Sequence, residues 1–427
     1  MTQVRVRIRT PDRPCADGLG LSAISLNRRA VPREIAFWLI AYVFAAVMLG
    51  TVVPTPLYAI YQRQWRFSAG ILTLIFAVYA VAVLATLLLA GRTSDQAGRR
   101  PVMAASLGFS AASAVLFIFA SSPGWLYPAR VLSGVSAGLM IGTATAALTE
   151  MVRESATRRA SLVAASVSTG AAALGPLMAG LFARFLPRPT VLVFEVFLGL
   201  LAAAALALAF VPETVTRRER PSLRFTGLAI PADGRREFIG AGAAAFAAYT
   251  LNGLFASLVP GFTTAILHHP NYAVAGAVTC VFFAAGTVTA LGLARLNSRP
   301  VLLAGLGLFL AGLALVVAGV SAASLALFLV GTVVAGSAFG ALVIGSLSAA
   351  NRLALPETRA QVISSYFVFA YSGLAIPVIG VGVAADRVGN SRAVLGCSIG
   401  LALLCVLAAV GISGGGRAGR PRARQSA

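Results

Sequence analysis

Twelve apolar runs, separated by short polar stretches, order this chain of 427 residues. They fall at about 36–58, 70–90, 101–120, 125–149, 160–183 and 190–211, then at 238–259, 273–294, 300–320, 322–346, 360–385 and 391–411. About 20 residues of helix, at 1.5 Å each, cross a hydrocarbon core of roughly 30 Å, so most runs have spanning length. They do not alternate apolar with polar at period two, as a membrane β-strand does. Backbone groups in lipid are satisfied only in helices or closed barrels, so the runs predict helices. The expected fold is an all-α membrane protein with twelve transmembrane helices. The longest internal polar stretch, 212–237, divides them six and six. The expected organisation is a cytoplasmic tail 1–35, a six-helix half 36–211, a cytoplasmic central loop 212–237, a second six-helix half 238–411 and a cytoplasmic tail 412–427.

The two halves echo each other at an offset near 200 residues. Gly134-x-x-x-Gly138 in span 4 matches Gly336-x-x-x-Gly340 in span 10, and Arg159-Ala160 before span 5 matches Arg359-Ala360 before span 11. Pro176 matches Pro377, and Pro54 has a looser partner in Pro260. Four matches in chain order predict duplicated halves, the plan of transporters that bind substrate where the repeats meet. Gly134, Gly138 and Gly142 share one face of span 4. Small residues there let another helix approach closely where association lacks a hydrophobic drive.

Composition changes the picture little and charge changes it more. Charged residues make up 11% of the chain and hydrophobic ones 58%, against about 25% charged in a soluble domain. The net charge is +21, and every basic residue is arginine. These arginines avoid the apolar runs, so they read as loop charges and not as a nucleic-acid face. One side of the membrane takes 27 of the 34 and the other takes six, which places both termini in the cytoplasm. Arg130 remains, inside span 4. The alternation from Val4 to Arg9 reads as disordered tail, with a strand or a lipid-surface segment as alternatives. Cys15, Cys280, Cys397 and Cys405 lack metal-ligand or disulfide spacing, and His268 and His269 lack a third ligand nearby. No metal and no cofactor is expected.

The 2–3 loop reads Gly91-Arg92-Thr93-Ser94-Asp95-Gln96-Ala97-Gly98-Arg99-Arg100-Pro101. This G-x-x-x-D-x-x-G-R-R pattern, in that loop position and on the arginine-rich side, resembles the cytoplasmic loop motif of the major facilitator superfamily. Three further segments are similar to family patterns. They are Arg130-x-x-Ser133-Gly134, Gly175-Pro176-Leu177-Met178-Ala179-Gly180, and Pro212-Glu213-Thr214. The second is similar to a drug:proton antiporter motif, with Ala179 where that motif has glycine. The resemblance covers about 36–411 and implies the major facilitator fold and alternating access. It also implies a latch that joins the halves on the inside and holds the outward-facing state. In it Gly91 and Gly98 allow a tight turn, and Asp95 faces the helix N-terminus of span 11, which attracts an anion. Arg99 or Arg100 pairs with Glu150. The second-half copy, from Gly292 to Pro300, is degenerate, with Asn297 near the place of the acid.

Two ionisable residues lie inside apolar runs. Arg130 is costly there. It reads either as snorkelling outward or as a cavity cation that binds substrate or tunes a proton site. Glu195 reads as a proton carrier or as an interfacial residue, since sixth helices of the family usually face lipid. Further candidates for the substrate pathway are Thr55 and Tyr58 in span 1, Tyr249 and Asn252 in span 7, and Tyr366 and Tyr371 in span 11. A cavity with one cation and several tyrosines favours a moderately apolar, neutral or anionic solute. Gly175, Pro176 and Gly180 are expected to pack span 5.

The expectation is a monomeric secondary transporter of a small organic solute, exporting it in exchange for protons across the inner membrane of a cell. Uptake of a small organic solute or anion is the alternative, and a non-transporting membrane sensor a remote one. An integral-membrane enzyme lacks the convergent catalytic groups it needs.

Overall fold

A computed structural model describes residues 31–91, 93–153, 156–215, 225, 227–267 and 271–414. Both expected tails are almost wholly outside the described residues. So are Arg92, His268, His269 and most arginines of the central stretch. Among the described residues, every regular element is a helix.

The helices of the first half are α1 (Arg33–Val52), α2 (Pro54–Trp65), α3 (Ala69–Ala90), the short α4 (Thr93–Ala97), α5 (Arg99–Ile118), α6 (Pro123–Met151), α7 (Thr157–Phe185) and α8 (Pro189–Phe210). Those of the second half are α9 (Arg235–Leu267), α10 (Tyr272–Leu293), α11 (Ser298–Ser321), α12 (Leu325–Leu353), α13 (Arg359–Val388) and α14 (Asn390–Gly414). Among the described residues, eleven helices are long and apolar enough to cross a membrane, with α1 and α2 counted together. A shorter apolar stretch, Gly396–Ile412, lies in α14. The helices overrun the apolar runs by up to several residues, because hydropathy marks the lipid-facing length while backbone pairing continues into the polar ends.

In span 1 the sequence reads as one run, and the helix carries on through Val53, which keeps right-handed helical dihedrals (φ −49°, ψ −42°) and donates to the Leu49 carbonyl at 3.2 Å. Pro54 and Pro56 have no N–H to give to the preceding turn, so the hydrogen-bond ladder is thinned there.

The interior is built from small side chains and the perimeter from large aliphatic ones. Leu206 is 64% exposed, Val288 71% and Leu407 68%, while Ala241, Ala244, Ala245, Ala247, Ala248 and Ala256 of α9 are buried. Such an apolar perimeter suits lipid as the solvent.

Small residues set the same contacts in both halves. In α6, a Cβ on Gly134 would meet Ala82 Cβ at 2.6 Å, and one on Gly138 would meet Thr86 Cβ at 2.7 Å, both in α3. In α12, Gly336 and Gly340 lie against the carbonyls of Phe282 and Gly286 in α10. In α7, Gly175 fits against Leu49 and Val53 of span 1, and in α13 Gly373 fits against Phe246 of α9. Span 4 thus packs on span 2 as span 10 packs on span 8, and span 5 on span 1 as span 11 on span 7. These are two six-helix pseudo-repeats. Gly142 departs from the expected stripe, since a Cβ there meets open space.

Candidate functional site

The loop motif forms one end of the bundle. Chain reversal there depends on Gly98, whose φ of 100° favours glycine. A Cβ on Gly98 would also meet Glu213 Oε2 at 2.7 Å. The space is needed because the Glu213 carboxylate accepts the backbone N–H groups of Arg99 at 2.8 Å and Arg100 at 3.0 Å. Those are among the first, unpaired donors of α5. The acid from the end of span 6 therefore caps span 3. Gly91 needs no such freedom: its φ of −58° is ordinary right-handed helix.

Arg99 is the buried centre of this end. Its Nη2 donates to Glu150 Oε1 at 2.7 Å, and its Nη1 donates to Ser94 Oγ at 2.6 Å and lies 2.6 Å from Asp95 Oδ1. The Thr214 hydroxyl donates to the other oxygen of Glu150. Charge-assisted pairs of this kind are the strong ones. Arg100 does not share Glu150; its Nη2 donates to the Ala209 carbonyl at 3.3 Å. The expected seat of Asp95 on the start of span 11 is not the contact seen, because its carboxylate lies against Arg99 in its own half. Ser94, Glu213 and Thr214 complete the network. The sequence offered Glu213 and Thr214 only as a motif ending.

The second half carries its own clamp at the same end. Arg352, near the end of span 10, pairs with Glu237 at the start of span 7 and donates to Ser298 Oγ at 3.3 Å. Asn297, which stands in the degenerate motif, precedes α11 without a side-chain cap.

The opposite end joins the halves to each other. The N–H of Gly70, in the first turn of α3, donates to Asp386 Oδ2 at 3.1 Å, near the end of α13. One turn further along α3, Thr73 fills the space beside Gly382. The backbones of Gly180 in α7 and Gly276 in α10 lie against each other, with the Pro176 carbonyl beside Gly276. Spans 2 and 11, and spans 5 and 8, meet here.

The middle of the bundle holds Arg130, 2% exposed. Its guanidinium lies over the rings of Tyr79 at 4.1 Å and Phe76 at 5.3 Å. Nη1 donates to the Thr51 carbonyl at 2.7 Å, three residues before Pro54 in span 1. An arginine at mid-helix costs about 2.5–3.5 kcal/mol on insertion scales. Cation–π contacts that are desolvated return about 2 kcal/mol or more. Arg130 therefore does not snorkel outward; it ties span 4 to span 1 and to two rings of span 2.

Tyr249 and Tyr371 meet edge to face with ring centroids 5.5 Å apart, and Phe339 and Phe367 flank them at 6.3 and 6.2 Å. Tyr371 belongs to the buried cluster built mainly by the first half, and Tyr79 of that half and Tyr249 pack against the same cluster. The centre therefore joins Arg130, Tyr79, Tyr249 and Tyr371. Tyr366 borders the same group: its ring packs on Phe367 at 5.4 Å, Tyr249 packs against its cluster, and its hydroxyl lies 3.2 Å from Ser346 Oγ. Thr55 is buried on α2 and Asn252 half-buried on α9, and Tyr58 packs on Phe76 at 5.1 Å. Glu195 stands apart from all of them, exposed on the perimeter beside the exposed Val196. Helical spacing turns Phe194 and Phe197 inward and leaves Glu195 facing out.

Comparison with known proteins agrees with this architecture. The chain is 34% identical over 174 residues to the puromycin resistance protein pur8 of Streptomyces alboniger, covering 39% of this chain and 34% of that protein. It is 29% identical over 233 residues to the multidrug transporter MdfA of Edwardsiella ictaluri (strain 93-146), covering 53% and 56%. The chain thus spans about a third of the first relative's length and about half of the second's. Among solved structures, a POT family transporter in complex with 5-aminolevulinic acid superposes with a TM-score of 0.70 at 12% identity, over 90% of this chain and 96% of that one. The human organic anion transporter MFSD10 (TETRAN) superposes with a TM-score of 0.64 at 17% identity, over 88% of this chain and 100% of that one. The sequence profile of the Major Facilitator Superfamily matches residues 38–378, and with twelve helices in two like halves the chain belongs to that superfamily of membrane transporters.

Proposed function

We propose that this transporter exports small, drug-like organic solutes in exchange for protons across the inner membrane, with both termini cytoplasmic. The observation that carries the reading is the centre itself: an aromatic group drawn from both halves, with one buried cation. It offers flat apolar faces and hydroxyls in place of the many hydrogen-bonding side chains a sugar needs. The similarity to a multidrug transporter and a puromycin resistance protein supports the same direction of transport.

In this reading the motif end faces the cytoplasm, as the arginine distribution predicts. The structure then corresponds to a state closed to the outside by Asp386, Gly382 and the Gly180–Gly276 contact. Turning outward closes the motif end, where Asp95 leaves Arg99 for the N-terminus of span 11. The exchanged proton is carried by Asp95, since Glu195 stands on the perimeter and Glu150 is held ionised by Arg99 and Thr214. The protein acts as a monomer and takes no nucleic acid.

Energised everted vesicles with an acid-interior pH dye test this. Lipophilic cations, neutral drugs and organic anions are added in turn, with Asp95→Asn as control. A compound that dissipates the gradient only with the unaltered protein supports proton-coupled export. If none of the compounds changes the dye signal while the protein is folded and inserted, the reading is overturned in favour of uptake or uniport.

A further inference from the structure

Three polar atoms around α2 are buried with no hydrogen-bond partner among the described residues: the hydroxyls of Tyr58 and Tyr61, and Nε of Arg130. Their residues are 1%, 2% and 2% exposed. Leaving a buried donor or acceptor unmade costs about 1–3 kcal/mol, and native proteins hold few such groups. Here their residues form one connected group. Tyr58 and Tyr61 are one turn apart on one face of α2, with rings 6.4 Å apart, and Tyr58 shares the Phe76 ring with Arg130. Trp65, one turn beyond Tyr61, stacks on it at 4.8 Å with planes 13° apart. The face thus runs from the central cation to the far end of span 1 as a ladder of flat rings edged with hydrogen-bonding atoms.

The face packs within the first half, while α2 also touches α7 and, in the other half, α9 and α10. When the halves part at the end opposite the motif, α2 loses its contacts with the second half and is freer to move off its own neighbours. Packing alone gives no reason for the hydroxyls, because phenylalanine fills the same space without unpaired oxygen.

We propose that Arg130, Tyr58 and Tyr61 form the polar edge of a second ligand seat, between the centre and the outer end of span 1. It takes a planar aromatic solute that carries a hydrogen-bond acceptor and no positive charge. Arg130 Nε can only donate, the tyrosine hydroxyls can donate to the same acceptor, and the rings supply the stacking faces. The guanidinium excludes a cation. The inference rests on the transporter reading for the opening motion, but not on direction or coupling.

The test is equilibrium dialysis of radiolabelled 2-naphthol, 2-naphthoate and 2-naphthylmethylammonium against the full chain in lipid nanodiscs. The three share one ring system and differ in charge. Naphthoate and naphthol bind and the ammonium does not. Tyr58→Phe and Tyr61→Phe each weaken naphthoate about tenfold, the loss of one hydrogen bond to a charged group. Both variants keep or raise the thermal midpoint. Phe variants that bind naphthoate like the unaltered chain overturn the proposal. So does equal binding of the ammonium, or no binding of any of the three. The vesicle assay reports export separately, so either result stands without the other.

Discussion

Arg99 and Arg130 are both buried arginines, and their surroundings assign them different work. Arg99 is met by two carboxylates and a hydroxyl, so its charge is neutralised locally. Among the described residues Arg130 has no acid partner; a carbonyl and two rings receive it. Lysine at 130 cannot lie flat over both rings while reaching Thr51, because it is a point charge on a flexible stem. Arg130→Lys is expected to lower stability by about 1–2 kcal/mol, read as a fall in thermal midpoint; an unchanged midpoint removes the tie. Asp95→Asn is expected to preserve expression and insertion while cutting transport several-fold, which initial rates in vesicles measure. The sequence made Asp95, Glu150 and the arginine pair legible through a motif. It could not choose Arg99 over Arg100, because that choice depends on which way α5 turns after Gly98. Tyr79 carried no signal at all: one tyrosine in an apolar run is indistinguishable from packing until a cation lies over it.

At the scale of helices, the glycine pairs divide into those that touch a neighbour and those that do not. A Cβ on Gly340 would drive into the Gly286 carbonyl of α10, whereas one on Gly142 meets nothing. Overpacking of a tight contact costs about 1–3 kcal/mol, so Gly340→Ala is expected to destabilise the protein by that much. Gly142→Ala is expected to change it by no more than about 0.5 kcal/mol. Thermal unfolding in detergent compares them, and equal midpoints would refute the distinction. The repeat of spaced glycines was legible in the sequence, and so were twelve spans. The surroundings of Val53 were not, because Pro54 and Pro56 were visible but proline in a membrane helix does not say what packs beside it. Arg130 and Gly175, which meet span 1 just before these prolines, lie in other helices.

For the whole molecule, spans 2 and 11 carry a contact or a candidate contact at each end. Asp386, near the end of span 11, already holds the N-terminus of span 2. Asp95, after the end of span 2, is proposed to hold the N-terminus of span 11 when the other end closes. The two acids are then opposed, each favouring closure of its own end. Thr73→Cys, in a chain whose four natural cysteines are serine, reports this, because Thr73 is buried between the halves. An impermeant maleimide is expected to label it faster in Asp386→Asn and more slowly in Asp95→Asn than in the parent. If both changes shift labelling the same way, the opposition fails.

Arg130 also bears on how the chain is made. The groups that receive it are the Thr51 carbonyl and the rings of Phe76 and Tyr79. All three precede it in the chain, in spans 1 and 2. During synthesis the fourth span leaves the ribosome after its partners have entered the bilayer. The costliest residue of the bundle therefore meets a receptor that is already in place. A chain begun after Tyr79 would bring the same charge into lipid with nothing to meet it, so the order of the helices helps to make their insertion possible.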